Sequence, residues 1–153
     1  MGTEKEAKTL DSTGVKFAPV ICYESIYGDY VGDYIAKGAE MIFVITNDGW
    51  WEDTPGYKQH LAYSRLRAIE TRRSIARSAN TGITCFINQR GDVSQKTDWW
   101  VPAAISGSIN ANSKNTFYTE YGDFFGRLFA GISVILVLWY WSVKIKKKIG
   151  GPV

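Results

Sequence analysis

Cysteine and histidine are scarce in this chain. Of its 153 residues two are Cys, Cys22 and Cys85, and one is His, His60. Two cysteines in separate apolar runs make no disulfide framework. With no C-x-x-C and a single histidine there is no ligand set for zinc, so no metal and no cofactor is expected. Charge of one sign is also missing: 18 basic and 15 acidic residues leave +3, too little for a general nucleic-acid footprint. No internal repeat and no low-complexity tract interrupts the chain. The N-terminus, Met1-Gly2-Thr3-Glu4-Lys5-Glu6, is polar, which excludes a signal peptide reading there. Glu6 stands where myristoylation at Gly2 requires Ser or Thr.

What remains is a folded composition, 45% hydrophobic and 22% charged, of a length that suits one domain or one domain plus an appendage. Residues 1–14 read as a polar segment closing on the turn signal Asp11-Ser12-Thr13-Gly14. Lys16–Ile21 reads as a buried strand in which Pro19 suggests an edge or a bulge. Helical spacing of Tyr27, Tyr30, Val31, Tyr34 and Ile35 predicts a helix over 26–37, stopped by Gly38. Met41–Ile45 is apolar enough for a central strand. A loop over 47–56 and a long helix over 57–78 follow. Ile83–Asn88 and Val93–Lys96, joined by Gln89-Arg90-Gly91-Asp92, read as a hairpin. Trp99–Ile105 and Gly107–Ala111 read as one strand or two. Strands alternating with helices indicate an α/β class.

The last segment is of another kind. From Leu128 to Val143 every residue is apolar, Gly or Ser, and counting from Phe124 gives 20 residues, the length that spans a bilayer. Arg127 near one end can snorkel. Trp139-Tyr140-Trp141 sits near the other end like an interfacial aromatic belt, and Lys144-Ile145-Lys146-Lys147-Lys148 follows. The expectation is a transmembrane helix over 124–143 and a basic cytoplasmic tail over 144–153. By the positive-inside rule residues 1–123 then lie on the far side of the membrane.

Candidate chemistry centres on Pro19-Val20-Ile21-Cys22-Tyr23-Glu24-Ser25. A strand delivers Cys22 to the point where it ends, and polar residues follow at once, as a positioned thiol nucleophile requires. A buried structural cysteine is the competing reading of the same spacing. Asn47-Asp48-Gly49-Trp50-Trp51 ends the second apolar strand, at the end where α/β folds place their sites. Trp50 and Trp51 suit an interface or plain packing equally. His60 raises a Cys–His pairing but reads better as structural. The arginines Arg65, Arg67, Arg72, Arg73 and Arg77 wrap around the 57–78 segment, and pairing with carboxylates such as Glu70 is favoured over a phosphate patch. Cys85, within Ile83-Thr84-Cys85-Phe86-Ile87, reads as core.

The order of a nucleophile strand, Asn47-Asp48-Gly49-Trp50, Arg67-Ala68-Ile69-Glu70 and Ala79-Asn80-Thr81-Gly82 resembles the carbon–nitrogen hydrolase (nitrilase) superfamily. Within it Ile21-Cys22-Tyr23-Glu24 is most similar to the apolipoprotein N-acyltransferase family of bacterial membrane enzymes. The resemblance runs from about Lys16 to Lys148. It implies the second half of a nitrilase-like α-β-β-α sandwich over 15–123, followed by the transmembrane helix. It implies a phospholipid as acyl donor, a thioester on Cys22, and the N-terminal amine of a diacylglyceryl-cysteine lipoprotein as acceptor, at the periplasmic face of the inner membrane. Tyr23 and Glu24 match residues that shape the site beside the nucleophile, and Asn47, Asp48, Trp50 and Trp51 are expected in a pocket wall. The superfamily's glutamate base and lysine lie tens of residues upstream of the nucleophile, whereas 21 residues precede Cys22. Neither Glu6 nor Lys16 is assigned to those roles. The chain is therefore expected to need an upstream half as partner and to be inactive alone. An amidase cleaving a carbon–nitrogen bond with water and a non-catalytic membrane-tethered fragment are the alternatives.

Overall fold

The computed structural model describes residues 7–149, with side chains through Lys146. The start of the polar N-terminal segment and the end of the basic tail lie outside the described residues. The chain divides into two units, Met1–Gly122 and Asp123–Val153.

The first unit is built on one six-stranded mixed sheet in sequential order. A short β1 (Leu10–Ser12) pairs antiparallel with β2 (Val15–Ile21) through a turn in which Thr13 and Gly14 both have positive φ. That backbone matches the twist of a two-residue hairpin. β2, β3 (Met41–Thr46) and β4 (Ser74–Ala79) run parallel, and β5 (Cys85–Ile87) and β6 (Val93–Ser94) complete the sheet antiparallel. Parallel neighbours need crossovers, and α1 (Gly28–Ala36) and α2 (Pro55–Thr71) supply them. Single 3-10 turns follow two strands, at Cys22–Ile26 and Asp48–Trp51. A short α3 (Phe117–Tyr121) ends the unit.

Pro19 sits where β2 has a strand on one side only, because the pairing with β1 stops at Phe17. Lys16 O accepts the Glu40 amide, so the alternation of a parallel ladder turns Lys16, Ala18 and Val20 toward β3 and the nitrogen of Pro19 away from it. The missing N–H therefore costs no ladder bond.

Strand alternation sorts the core onto one face. Ala18, Val20, Ile42, Val44, Ile75, Cys85 and Ile87 are buried beneath α1 and α2 with Val31, Ile35, Leu61 and Ala68. The opposite face presents Phe17, Phe43 and Phe86, half-buried, and Ile21 and Ile45, exposed. A groove of about 470 Å³ runs over this face between Phe43, Ile45, Ala76, Phe86 and Ala103–Ile105. Helices on one face of a mixed sheet are the expected α/β class.

Three expected elements differ. The helix expected over 57–78 stops at Thr71. Arg72 takes a left-handed conformation with φ 52°, and the chain re-enters the sheet as β4. The reason is Arg77, whose charge reads as helix surface in sequence but is buried by an ion pair on the core face of the strand. The helix expected from 26 starts at Gly28, after the 3-10 turn. Residues 99–111 form no strand. Trp100 N donates to Thr81 O within this segment, and its flanks are held by Thr97 N on Thr84 O, Asn112 N on Glu40 O, and Arg73 Nη1 on Lys114 O.

In the second unit α4 (Phe124–Ile149) is one continuous helix. Its segment Phe124–Lys146, 23 residues, is long and apolar enough to cross a membrane. At 1.5 Å per residue it reaches about 35 Å, more than the ~30 Å hydrocarbon core.

The two sheet faces predict different costs of truncation. Ile42→Ala, on the buried face, should lower stability by ~2–5 kcal/mol. Ile45→Ala, three residues on and half exposed, should cost under ~1 kcal/mol. Urea unfolding in detergent, followed by tryptophan fluorescence, measures both.

Candidate active site

Cys22 opens the 3-10 turn at the C-terminal end of β2, and its φ is +50°. A non-glycine residue there carries roughly 1–2 kcal/mol of backbone strain, which its surroundings must hold in place. Two donors converge on its carbonyl: Ser25 Oγ at 2.8 Å and His60 Nε2 at 3.1 Å. Its sulfur lies 3.3 Å from Thr46 Oγ1, at the end of the neighbouring parallel strand.

Behind Cys22 stands a buried polar network. Asp48, wholly inaccessible to solvent, accepts from Thr46 Oγ1 at 2.9 Å and from His60 Nδ1 at 2.8 Å on one oxygen, and from Arg77 Nη2 at 2.6 Å on the other. Arg77 also donates to Ser64 Oγ at 2.9 Å and to the Ile83 carbonyl at 3.2 Å. Burial works against ionisation of Asp48. The His60 hydrogen bond, the Arg77 charge and the Thr46 hydroxyl outweigh it and hold the carboxyl below the usual carboxylate range.

The loop motifs seen in the sequence now have a physical reason. Asn47 Oδ1 accepts from Gly49 N at 3.2 Å and from Thr81 Oγ1 at 2.9 Å, joining the loop after β3 to the loop after β4. A Cβ on Gly82 would collide with the Asp48 carboxylate, so only glycine lets the second loop close over it. Arg67 pairs with Glu70 at 3.1 Å on α2. Arg65 and Arg72 donate to the carbonyls of Gly91 and Gln89, and Arg73 to those of Ala39, Thr71 and Lys114. These arginines serve the interior and the loops, and make no shared phosphate patch.

The aromatic residues form a lip beside Cys22. Tyr23, 52% exposed, stacks on Trp51 at 6.1 Å, and Trp51 lies 5.2 Å from the His60 ring. Trp51 also packs against Gly56, where any side chain would clash with it. Trp50 is 83% exposed and points no surface into the core. Glu24 Oε2 accepts the Ile21 amide at 2.7 Å and Oε1 lies 3.4 Å from the Tyr30 hydroxyl, so this carboxylate fixes the strand-to-turn junction.

The structure thus gathers Cys22, Tyr23, Glu24, Asn47, Asp48 and Trp51 at one end of β2 and β3. Asp48 lies beneath the site rather than in its wall. Sequence reasoning weighed a Cys22–His60 pairing and set it aside, and did not connect Thr46, Ser25 or Arg77 to Cys22. Thr46, directly before the Asn-Asp-Gly-Trp run, was the one signal available. His60 reaches the carbonyl of Cys22 and not its sulfur, which fits a structural histidine and not a Cys–His pair.

The carbon-nitrogen hydrolase family model matches residues 1–115, and the chain belongs to that family. It is 39% identical to an apolipoprotein N-acyltransferase of Chlorobaculum tepidum over 128 residues, 84% of this chain and 24% of that protein. It is 40% identical to apolipoprotein N-acyltransferase 2 of Leptospira interrogans over 118 residues, 74% of this chain and 20% of that protein. The chain spans about a quarter of the length of these relatives or less. Among solved structures, a carbon-nitrogen hydrolase from Helicobacter pylori matches 63% of this chain and 41% of its own at 12% identity with TM-score 0.57. An amidase from Nesterenkonia sp. matches 67% and 41% at 18% identity with TM-score 0.55. These two likenesses define a nitrilase-type fold.

Two outcomes follow from the environments described. Burial pushes the Cys85 thiol up to about 11, against the opposing charges of Arg77 and Lys96, whereas Cys22 is partly accessible. Iodoacetamide at pH 8 should label Cys22 and leave Cys85 intact until the chain unfolds, as read by peptide mass spectrometry. Asp48, held below its ordinary value of 3.8, stabilises the fold above that pH and loses its contribution as pH falls below it. Asp48→Asn should cost ~3–5 kcal/mol at neutral pH by stranding Arg77, and should flatten the acid limb of stability below about pH 4 relative to the unsubstituted chain. Urea midpoints at each pH measure this.

Proposed function

We propose that this chain carries the nucleophile of an apolipoprotein N-acyltransferase. The observation that carries the reading is Cys22 itself: a thiol at the end of a parallel strand, in a left-handed turn, with a hydroxyl 3.3 Å from its sulfur and an aromatic lip beside it. The names of its relatives and the apolar helix α4 support the same reading. The domain limits proposed are a polar segment over 1–14, a partial carbon–nitrogen hydrolase domain over 15–123, a membrane span over 124–143 and a basic tail over 144–153.

The Cys22 thiolate attacks the ester carbonyl of a phospholipid. The carbon–oxygen bond breaks, the lysophospholipid leaves as an alcohol with one proton, and a thioester forms on sulfur. The free amine of a diacylglyceryl-cysteine lipoprotein then attacks that carbonyl, the carbon–sulfur bond breaks, an amide forms and the amine's proton is released. Two acyl transfers replace one difficult step. The single proton of Thr46 serves either Asp48 or the sulfur. Turning it to the sulfur gives the thiolate a hydrogen bond without moving the strand. The Tyr23 amide, next along the turn, is our choice for an oxyanion donor. Tyr23, Trp50 and Trp51 offer apolar area to an acyl chain. Glu24 holds the turn that carries both Cys22 and Tyr23.

We assign no residue of this chain to the base and lysine that the family's chemistry calls for, and place those groups in sequence outside it. The Lys144–Lys148 cluster orients α4 with its C-terminal end in the cytoplasm, putting Cys22 on the periplasmic side of the inner membrane.

Incubation with phospholipid vesicles, followed by mass spectrometry, tests the reading. With the preceding part of a relative supplied as a second chain, an acyl adduct on Cys22 released by hydroxylamine is expected. The isolated chain should show none. No adduct on Cys22 in either case, with release of ammonia from simple amides instead, would replace the transferase by an amidase.

A further inference from the structure

We propose that His60 is a positioning residue for Cys22, a clamp that holds the turn backbone from which the sulfur is presented. The proposal rests on the reading of Cys22 as the nucleophile. A carbonyl and a carboxylate only accept, so hydrogen bonds from Nε2 to Cys22 O at 3.1 Å and from Nδ1 to Asp48 together call for the doubly protonated ring, whose Nε2 also lies 2.9 Å from Ser25 Oγ. The other donor to that carbonyl, Ser25, lies three residues away in the same turn and moves with it. His60 instead comes from α2, 38 residues along the chain, and fixes the turn to the rest of the molecule.

The ring is itself immobilised. Its Nδ1 donates to Asp48 at 2.8 Å, Trp51 and Tyr23 lie over it at 5.2 and 6.1 Å, and 2% of the residue is exposed. Asp48 Oδ1 receives both His60 and Thr46, and Thr46 Oγ1 faces the sulfur. One carboxylate oxygen therefore sets two positions at once: through His60 the carbonyl of Cys22, and through Thr46 its sulfur. Such an arrangement defines where the thiol points without requiring His60 to take up its proton.

The side-chain amides of Gln and Asn separate the two ring contacts. Gln places its amide nitrogen near the position of Nε2 and keeps a donor for Cys22 O. Asn places its amide near Nδ1, keeps the Asp48 contact and stops short of the carbonyl. With two cysteines in the chain, selective ¹³C,¹⁵N-cysteine labelling of the full chain in detergent micelles gives one signal for the clamp, Cys22, and one internal reference in the core, Cys85. In His60→Asn the Cys22 backbone carbon shifts should move from the positive-φ position toward the unfolded cysteine position while Cys85 stays in place. In His60→Gln the Cys22 shifts should stay close to those of the unsubstituted chain. An unmoved Cys22 in His60→Asn overturns the proposal. So does joint displacement of Cys22 and Cys85 in both variants, which makes His60 a core residue and nothing more. The shifts are read without any acyl donor, so the clamp can fail while Cys22 still forms its adduct, and the adduct can fail while the clamp stands.

Discussion

The Asp48–Arg77 ion pair is the constraint on which the site depends. Both side chains are withdrawn from water and meet at 2.6 Å. Removing two charges from solvent costs several kcal/mol per ion, recovered only when the remaining lone pairs and protons find partners. Here they do: Thr46 and His60 on the carboxylate, Ser64 and Ile83 on the guanidinium. The four partners come from three places: Thr46 from the end of β3, His60 and Ser64 from α2, and Ile83 from the approach to β5. A pair that is satisfied only when all of these are in register contributes specificity more than net stability. It penalises every arrangement in which one of them is displaced.

That requirement passes outward to the loops. The chain after β3 must turn at once to bring Asp48 inward, and the chain after β4 must approach without a side chain at Gly82. Asn47 and Thr81 then meet on the outer side of the same two loops. The short polar motifs at the strand ends are thus one structure seen twice in the sequence. Cys22 stands above it, on the neighbouring parallel strand, where the carboxyl ends of an α/β sheet collect their functional groups.

Much of the sheet was legible because its strands obey local rules. β2 and β3 are apolar runs, and the β5–β6 turn carries its own Gly and Asp signals. β4 was hidden by Arg77: a charge at a core position reads as helix surface until its carboxylate is known, and Asp48 lies 29 residues upstream. Residues 99–111 carry two Trp, two Ile and one Val, yet strand propensity needs a partner edge, and no described strand pairs with them. His60 could be weighed as structural from its neighbours, but its partners Asp48 and Cys22 are 12 and 38 residues away. No spacing rule reaches that far. The position of Cys22 was legible because a strand end is a local event. Its left-handed backbone was not, since nothing in the local run of residues requires a positive φ there.

The contrast between the two thiols shows how much of the chemistry is environment. Cys85 starts β5 and points into the core with Ile75, Ile83 and Ile87, where burial raises its pKa to about 11 and closes it to reagents. Cys22 sits one strand end away from the same core, with a hydroxyl at its sulfur and donors on its carbonyl. Nothing in the residue type separates them. What separates them is that Cys85 opens β5 with its side chain in the core, whereas Cys22 lies in the turn beyond β2 and is partly accessible. A thiol becomes usable where regular hydrogen bonding ends and side chains take over the backbone's partners, and the ion pair beneath Cys22 is what makes that handover a fixed geometry rather than a frayed strand.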